Sequence, residues 1–355
     1  MKVKTIYAEI LNQCNLNCRT CYNRSGLNRE RRELSKARLE EILRTFLPYG
    51  LERFLLSGGE PTLHTEFDGI LDLADAYPQV SFGIVTNGTN PSEKLAGYVN
   101  QGKISLQISL DGSCEEENAK TRGAGNFAKT MAFARRLRQA KDPIRLKMVL
   151  SQQNREDLEG FYRLARSIGF SPEFAFIYRS GNGAENWEGK ALSARQKLEA
   201  LRQIRRLNRE WGEEAFLPLC TMGCPFILED SELSLCVKVD GSIQPCQALY
   251  DERFTLGNAL SFDPEAFAAN VENLRVLARR RLETDYGCGT CLLREGCRRG
   301  CMAAAVCLCG DPLGNDGDCG YRKLQFLGFD LEEMLKERST GGTGGASSTG
   351  EPGEG

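Results

Sequence analysis

The sequence predicts an α/β chain in two parts: a partial (β/α)6 TIM-like barrel, then a smaller cysteine-rich C-terminal domain. Three observations carry that expectation. From residue 5 to about 178 short apolar runs alternate with longer amphipathic ones, a rhythm that implies βαβ units and a parallel sheet. Glycine and polar motifs follow the ends of those apolar runs, where a barrel of this kind gathers its chemistry. Beyond Cys220 the composition changes, and most of the fifteen cysteines lie between there and Cys319.

The strand candidates, in order, are Thr5–Leu11, Arg53–Leu56, Ser81–Thr86, Ile104–Ser109, Ile144–Leu150 and Glu173–Tyr178. Helical stretches between them include Ser35–Phe46, Phe127–Ala140 and Glu156–Ile168. In the last of these, Leu158, Phe161, Leu164, Ala165 and Ile168 recur at helical spacing. Asn182–Gly189 reads as a loop and Ser193–Glu213 as an amphipathic connecting helix. Leu235–Val239 and Ser242–Cys246 flank Asp240-Gly241, a favoured hairpin turn pair. A last helix is expected over Leu324–Lys336. The tail from Thr340 is nearly all Gly, Ser, Thr, Pro and Glu, a composition that does not pack. The expected division is a barrel over 1–185, a connector over 186–219, a cysteine-rich domain over 220–325, a helix over 326–339 and a disordered tail over 340–355.

At 355 residues there is room for two cores. A net charge of −2 gives no global field favouring nucleic acid or an anionic membrane. Met1-Lys2-Val3-Lys4 leads straight into a strand, with no signal-peptide core, and no apolar run is long enough to span a bilayer. Fifteen cysteines without a secretion signal argue for metal thiolates in a reducing cytoplasm. Only one histidine, His64, is present, so sulfur must hold the metal.

Cys14, Cys18 and Cys21 sit at the end of the first apolar run. Three thiolates hold three irons of a [4Fe–4S] cube and leave the fourth open to bind a substrate or cofactor. A zinc knuckle or a fragment of a disulfide framework is the competing reading of the triad alone. The arrangement resembles the radical S-adenosylmethionine (radical SAM) superfamily, and further motifs occur in that family's order. These are Ser57-Gly58-Gly59-Glu60-Pro61, Thr86-Asn87-Gly88-Thr89, Ser109-Leu110-Asp111-Gly112 and Thr121-Arg122-Gly123. The resemblance implies that S-adenosylmethionine binds the open iron, with Gly58, Gly59 and Glu60 at its methionine amine. It implies Thr86, Asn87 and Ser109 along the cofactor, with Ser109 at its ribose or carboxylate. Arg122 would pair with the carboxylate through its planar fork. One electron from the cluster would then release a 5′-deoxyadenosyl radical. The residue before the third cysteine, usually aromatic in this family, is Thr20 here.

The spacing Cys288-Gly-Thr-Cys291-x5-Cys297-x3-Cys301, with Cys319 after it and Gly241-x4-Cys246 before it, resembles the SPASM domain. That resemblance implies two auxiliary [4Fe–4S] clusters, three in all. Cys288, Cys291, Cys297 and Cys319 would hold one. Cys246 and Cys301 would hold the other with cysteines from the 220–236 segment, Cys224 and Cys220 for full ligation. Cys236 within the hairpin, or an open iron, is the alternative. Cys114, Cys307 and Cys309 are then spare. Cys114 follows the fourth strand, where a thiol could donate a hydrogen atom to a substrate radical; burial for packing is the plainer reading.

Enzymes of this kind mostly modify peptides, and the cysteine spacing looks most like anaerobic sulfatase-maturing enzymes. Those carry an Asp where this chain has Gln247, and an amide is no base at useful pKa. The expectation is therefore an enzyme maturing another peptide, served by a flavodoxin- or ferredoxin-type electron donor. A small-molecule dehydrogenase acting on an aminoglycoside-like sugar or a tetrapyrrole, a sulfatase maturase, and a non-enzymatic electron carrier are the alternatives.

Overall fold

The computed structural model describes residues 1–27, 30–137, 144–212, 223–285 and 287–326. Its sheet has nine strands. Six of them, β1 (Lys2–Leu11), β2 (Arg53–Gly58), β3 (Ser81–Thr86), β4 (Ile104–Ser109), β5 (Arg145–Leu150) and β6 (Ser171–Phe176), lie side by side in chain order, all parallel. The sheet stays open, with β6 at one end, as a partial barrel requires. β3 and β4 match the sequence expectation residue for residue. β1 starts three residues earlier than its apolar run because Lys2 and Lys4 alternate with buried Val3 and Thr5. Their ammonium groups reach Glu52 and Glu232 on the solvent side.

Strand interiors and helix stripes form one core. Ile6, Ala8 and Ile10 of β1, Phe54 and Leu56 of β2, and Leu146, Met148 and Leu150 of β5 are fully buried. The helix Lys36–Phe46 turns Leu39, Ile42, Leu43 and Phe46 inward, and Leu158–Ser167 turns Leu158, Phe161, Tyr162 and Ala165 inward. Each Leu, Ile, Met or Phe among them contributes about 1.5–3 kcal/mol relative to exposure. Ser35 caps the first of these helices, accepting from Arg38 N–H at 3.3 Å.

The expected helix over Phe127–Ala140 is helical only to Ala134, with Arg135 as its cap; residues 138–143 lie outside the described residues. The stretch expected as a loop, Asn182–Gly189, is instead two short helical turns, Gly181–Ala184 and Trp187–Lys190. The connecting helix runs Ala194–Trp211, with a capping box between Ser193 and Gln196 and Gly212 at φ 63° as its stop. The last described residues, 319–326, are helical, while most of the expected final helix and all of the tail lie outside the described residues.

The hairpin differs most from expectation. β7 (Glu232–Val237) pairs in parallel with β1, and β8 (Ser242–Gln244) and β9 (Gly257–Asn258) extend the same sheet antiparallel. The cysteine-rich region thus shares a sheet with the barrel. A ring cluster reinforces the join. Phe46 meets Phe262 and Phe267, which precedes and lines the helix Pro264–Glu283, at centroid distances of 5.7 and 6.0 Å.

Candidate active site

Several strand ends converge on the loop carrying Cys14, Cys18 and Cys21. From β2, Gly59 N–H donates to the Leu11 carbonyl at 2.6 Å and Glu60 N–H to the Gln13 carbonyl at 2.9 Å. A Cβ on Gly59 would stand 1.9 Å from the Gln13 carbonyl oxygen. One on Gly58, at φ +131°, would stand 2.3 Å from that of Leu11. These glycines therefore let β2 lie against the entrance of the cysteine loop. The Glu60 side chain is buried. Its Oε1 accepts from Thr62 N–H, Thr62 Oγ1 and Thr86 Oγ1 at 3.2, 2.7 and 2.5 Å, and its Oε2 from Asn87 N–H at 2.7 Å. Burial pushes this carboxyl up, against the pull of the four donors. Glu60 ties the ends of β2 and β3 together.

From β3, Asn87 Nδ2 lies 3.7 Å from Cys14 Sγ and donates to Asn15 Oδ1 at 2.9 Å, while its Oδ1 accepts from Thr89 N–H at 2.8 Å. From β4 comes a buried ion pair. Arg122 Nε is 2.9 Å from Asp111 Oδ2, and Arg122 Nη1 is 3.9 Å from Cys18 Sγ. Burial works against the Arg122 cation, but Asp111 and Cys18 outweigh it and hold it charged. One edge of the guanidinium expected to grip a carboxylate is thus taken by Asp111, while the Nη end faces the thiols. Ser109 is half-buried at the end of β4, in register with Lys147 of β5.

Two residues at the end of β6 escaped sequence reasoning. Asn182 N–H donates to the Cys21 carbonyl at 2.8 Å, and its Nδ2 to the Cys18 carbonyl at 2.9 Å and Asn17 Oδ1 at 2.8 Å. Lys190 Nζ donates to the carbonyls of Asn182 and Arg19 at 2.7 and 3.1 Å. The only hint in the sequence is that Asn182 stands between two glycines. Cys114 is not brought to the triad. It caps the helix Glu115–Arg122, and its carbonyl accepts from Asn118 N–H at 3.0 Å.

Burial pushes the Cys14 thiol up to about 12 and the Cys18 thiol up to about 11, with Arg122 pulling Cys18 back. Each of these thiols acts electrostatically on its neighbours in the triad, and every described cysteine is free. Among the described residues no three His, Cys, Asp or Glu side chains converge tightly enough for one metal ion. Three neighbouring thiols that interact electrostatically are the donor set a polynuclear cluster uses, each thiolate taking its own iron. Metal binding would strip their protons.

A second set of thiols forms under the helix Pro264–Glu283. Cys224, Cys246 and Cys301 act on one another, and burial pushes Cys224 up to about 12 and Cys246 up to about 11. Cys220 lies outside the described residues. Cys236 is buried beside Tyr250, 3.9 Å from its hydroxyl. Cys301 caps the helix Met302–Cys309, and its N–H donates to Asp316 Oδ2 at 2.9 Å. Asp316 in turn takes both Nη groups of Arg322 at 2.6 Å, the pair being buried. The remaining cysteines follow a loop in which Asp285 Oδ1 gathers the N–H groups of Gly287, Cys288 and Gly289 at 2.8, 2.9 and 3.2 Å. Cys291 and Cys297 come next along it, and Cys319 opens the helical turn 319–326. Cys307, pushed up by burial and the nearby Cys301, belongs beside the set of Cys224, Cys246 and Cys301, whereas Cys309 is exposed.

Residues 9–165, which hold the first triad and every motif aligned around it, match the family model described as the radical SAM superfamily. Those residues form a radical SAM domain. Mycofactocin maturase MftC of Mycolicibacterium smegmatis is 29% identical over 344 residues, covering 93% of this chain and 84% of its own length. Among solved structures, native anSMEcpe with bound AdoMet and Cp18Cys peptide superposes with a TM-score of 0.72 at 18% identity, over 95% of this chain and 99% of that one. Streptococcus suis SuiB bound to precursor peptide SuiA does so with a TM-score of 0.70 at 17% identity, over 89% and 75%. These two likenesses establish the fold, a mixed α/β sheet left open as a partial barrel. No described helix is long and apolar enough to cross a membrane.

Proposed function

We propose that this radical SAM enzyme is a cytoplasmic peptide maturase. In this reading it carries three [4Fe–4S] clusters, takes electrons from a flavodoxin- or ferredoxin-type donor, and abstracts hydrogen from a residue of a precursor peptide. The observation that carries the reading is the pairing of the Cys14, Cys18 and Cys21 thiols at the strand ends with a second set of thiols, Cys224, Cys246 and Cys301, around the strands β7 and β8 of the same sheet. When bound, the first cluster and S-adenosylmethionine supply a 5′-deoxyadenosyl radical. Cys14, Cys18 and Cys21 would hold that cluster. Asn87 and the Nη end of Arg122 border two of its thiols, and Asn182 with Lys190 fixes the loop. Cys224, Cys246 and Cys301, with Cys220, would hold one auxiliary cluster, and Cys288, Cys291, Cys297 and Cys319 the other.

A cavity of about 620 Å³ borders the free edge of β6, between Phe176 and Tyr178 on one side and Lys197 and Tyr321 on the other. It is of a size for a few side chains, and Tyr178 at its rim touches Cys301 at 3.5 Å. The maturase relative and the peptides held in both superposed structures favour a peptide over a sugar or tetrapyrrole. Gln247 still speaks against formylglycine formation.

The test is anaerobic. Reduced, reconstituted protein should convert S-adenosylmethionine to 5′-deoxyadenosine, and the triple change of Cys14, Cys18 and Cys21 to Ala should abolish this. Co-expression with short peptides encoded beside the gene should shift the mass of one of them. Cofactor cleavage by the triple variant, or cleavage with no peptide changed while a small amine or sugar is oxidised, would overturn the reading.

A further inference from the structure

Arg281 lies in the last turn of the helix Pro264–Glu283 and is 1% exposed. Its Nη groups donate to the carbonyls of Pro312, Gly314 and Arg299 at 2.5, 2.7 and 2.7 Å. Its Nε–H, also buried, meets no acceptor in the described chain. A guanidinium donor left unmet inside a protein is costly, so such a group ordinarily has a partner. The Arg299 carbonyl that Nη2 holds lies two residues before Cys301, and the groups acting electrostatically on Arg281 include Arg299, Asp316, Cys301 and Cys224. Asp316 is already engaged by Arg322 and by Cys301 N–H. What remains is a pair of thiols. Neutral thiols are weak acceptors, whereas cluster thiolates and sulfides are anionic ones.

We propose that Arg281 is the buried counter-cation of the auxiliary [4Fe–4S] cluster held by Cys224, Cys246 and Cys301, with its Nε–H donating to a sulfur of that cluster. The proposal rests on the auxiliary-cluster reading above. Its consequence is electronic. A fixed cation and a hydrogen bond to sulfur stabilise the more negative, reduced state, which raises the reduction potential. The three carbonyls held by the Nη groups keep the cation in place during the redox change. Arg281 acts here through the cluster and is a positioning residue for the redox function.

The experiment uses the full chain with Cys14, Cys18 and Cys21 changed to Ala, so that only auxiliary clusters remain. Protein grown with guanidino-15N arginine is reconstituted, reduced with dithionite and examined by pulsed EPR. A 15N coupling on one auxiliary signal is expected, lost in R281K. In R281Q the reduced-to-oxidised ratio of that signal at fixed ambient potential should fall at least about tenfold, equivalent to about 59 mV for one electron; R281K, which keeps the charge, should shift less. No auxiliary signal at all would overturn the cluster reading and this proposal together. A normal signal without 15N coupling would overturn the proposal alone, and that result requires no substitution of Arg281.

Discussion

Gly59→Ala puts the meeting of β2 with the cysteine loop under direct test. The new methyl group would lie 1.9 Å from the Gln13 carbonyl oxygen and 2.9 Å from Cys14 N. Both neighbours are backbone, so no side chain can swing aside. Overpacking of this kind costs about 1–3 kcal/mol. Separation of the strand from the loop would also break the Gly59–Leu11 and Glu60–Gln13 bonds, each worth about 0.5–1.5 kcal/mol net. The expected loss is therefore roughly 2–6 kcal/mol. Gly97→Ala is the control: it lies within the helix Glu93–Asn100, and the nearest atom to its added Cβ is 4.0 Å away. That change should gain about 0.5–1 kcal/mol. Urea denaturation of the apo chain, followed by circular dichroism, measures both, and iron per chain after reconstitution reports the loop. If G59A unfolds with the parent and binds as much iron, the close approach has no bearing on the site.

Asp316→Asn should cost about 3–5 kcal/mol, because it removes the buried carboxylate to which both Nη groups of Arg322 donate; a shift in the denaturation midpoint no larger than a surface substitution gives would refute this. Glu9 is buried on β1, accepts from the Tyr250 hydroxyl and Asn23, and has its carboxyl raised chiefly by burial. The folded state holds that proton more tightly than the unfolded chain. Its stability contribution is thus fullest below the ordinary carboxylate range and is lost as pH rises through the raised value. Melting temperatures from pH 4 to 8 should show the parent losing ground to E9Q, and a gain instead would reverse the sign of the argument. Removal of iron by a chelator should leave the barrel's circular dichroism largely intact while trypsin cuts first within residues 287–326. First cuts in the barrel would contradict that order.

Local patterns made the barrel legible. Ser81–Thr86 and Ile104–Ser109 are short apolar runs closed by turn motifs, and they fold with the bounds their sequence suggests. The pairing of β7 with β1 was not legible, because parallel partners some 230 residues apart share no turn and leave only alternating apolar residues such as Leu233, Leu235 and Val237. The site divides in the same way. Cysteine spacing pointed to the triad, and glycines marked the turn at Gly58-Gly59. Whether Arg122 would meet Asp111 or a ligand depended on packing between β4 and its following helix, which no motif encodes. Asn182 and Lys190 are ordinary polar residues until the chain folds them over the cysteine loop.

The shared sheet acts as a ruler between the two sulfur-rich centres. β1 runs out into Cys14, and β7, its direct neighbour, leads through β8 to Cys246. Backbone hydrogen bonds between neighbouring strands therefore span the distance between them. If both sets hold clusters, as proposed above, the path between them runs across paired strands rather than across a loose linker. At the other end of the sheet β6 pairs with no further strand among the described residues, and its edge is met instead by side chains, Lys197 and Tyr321 against Phe176.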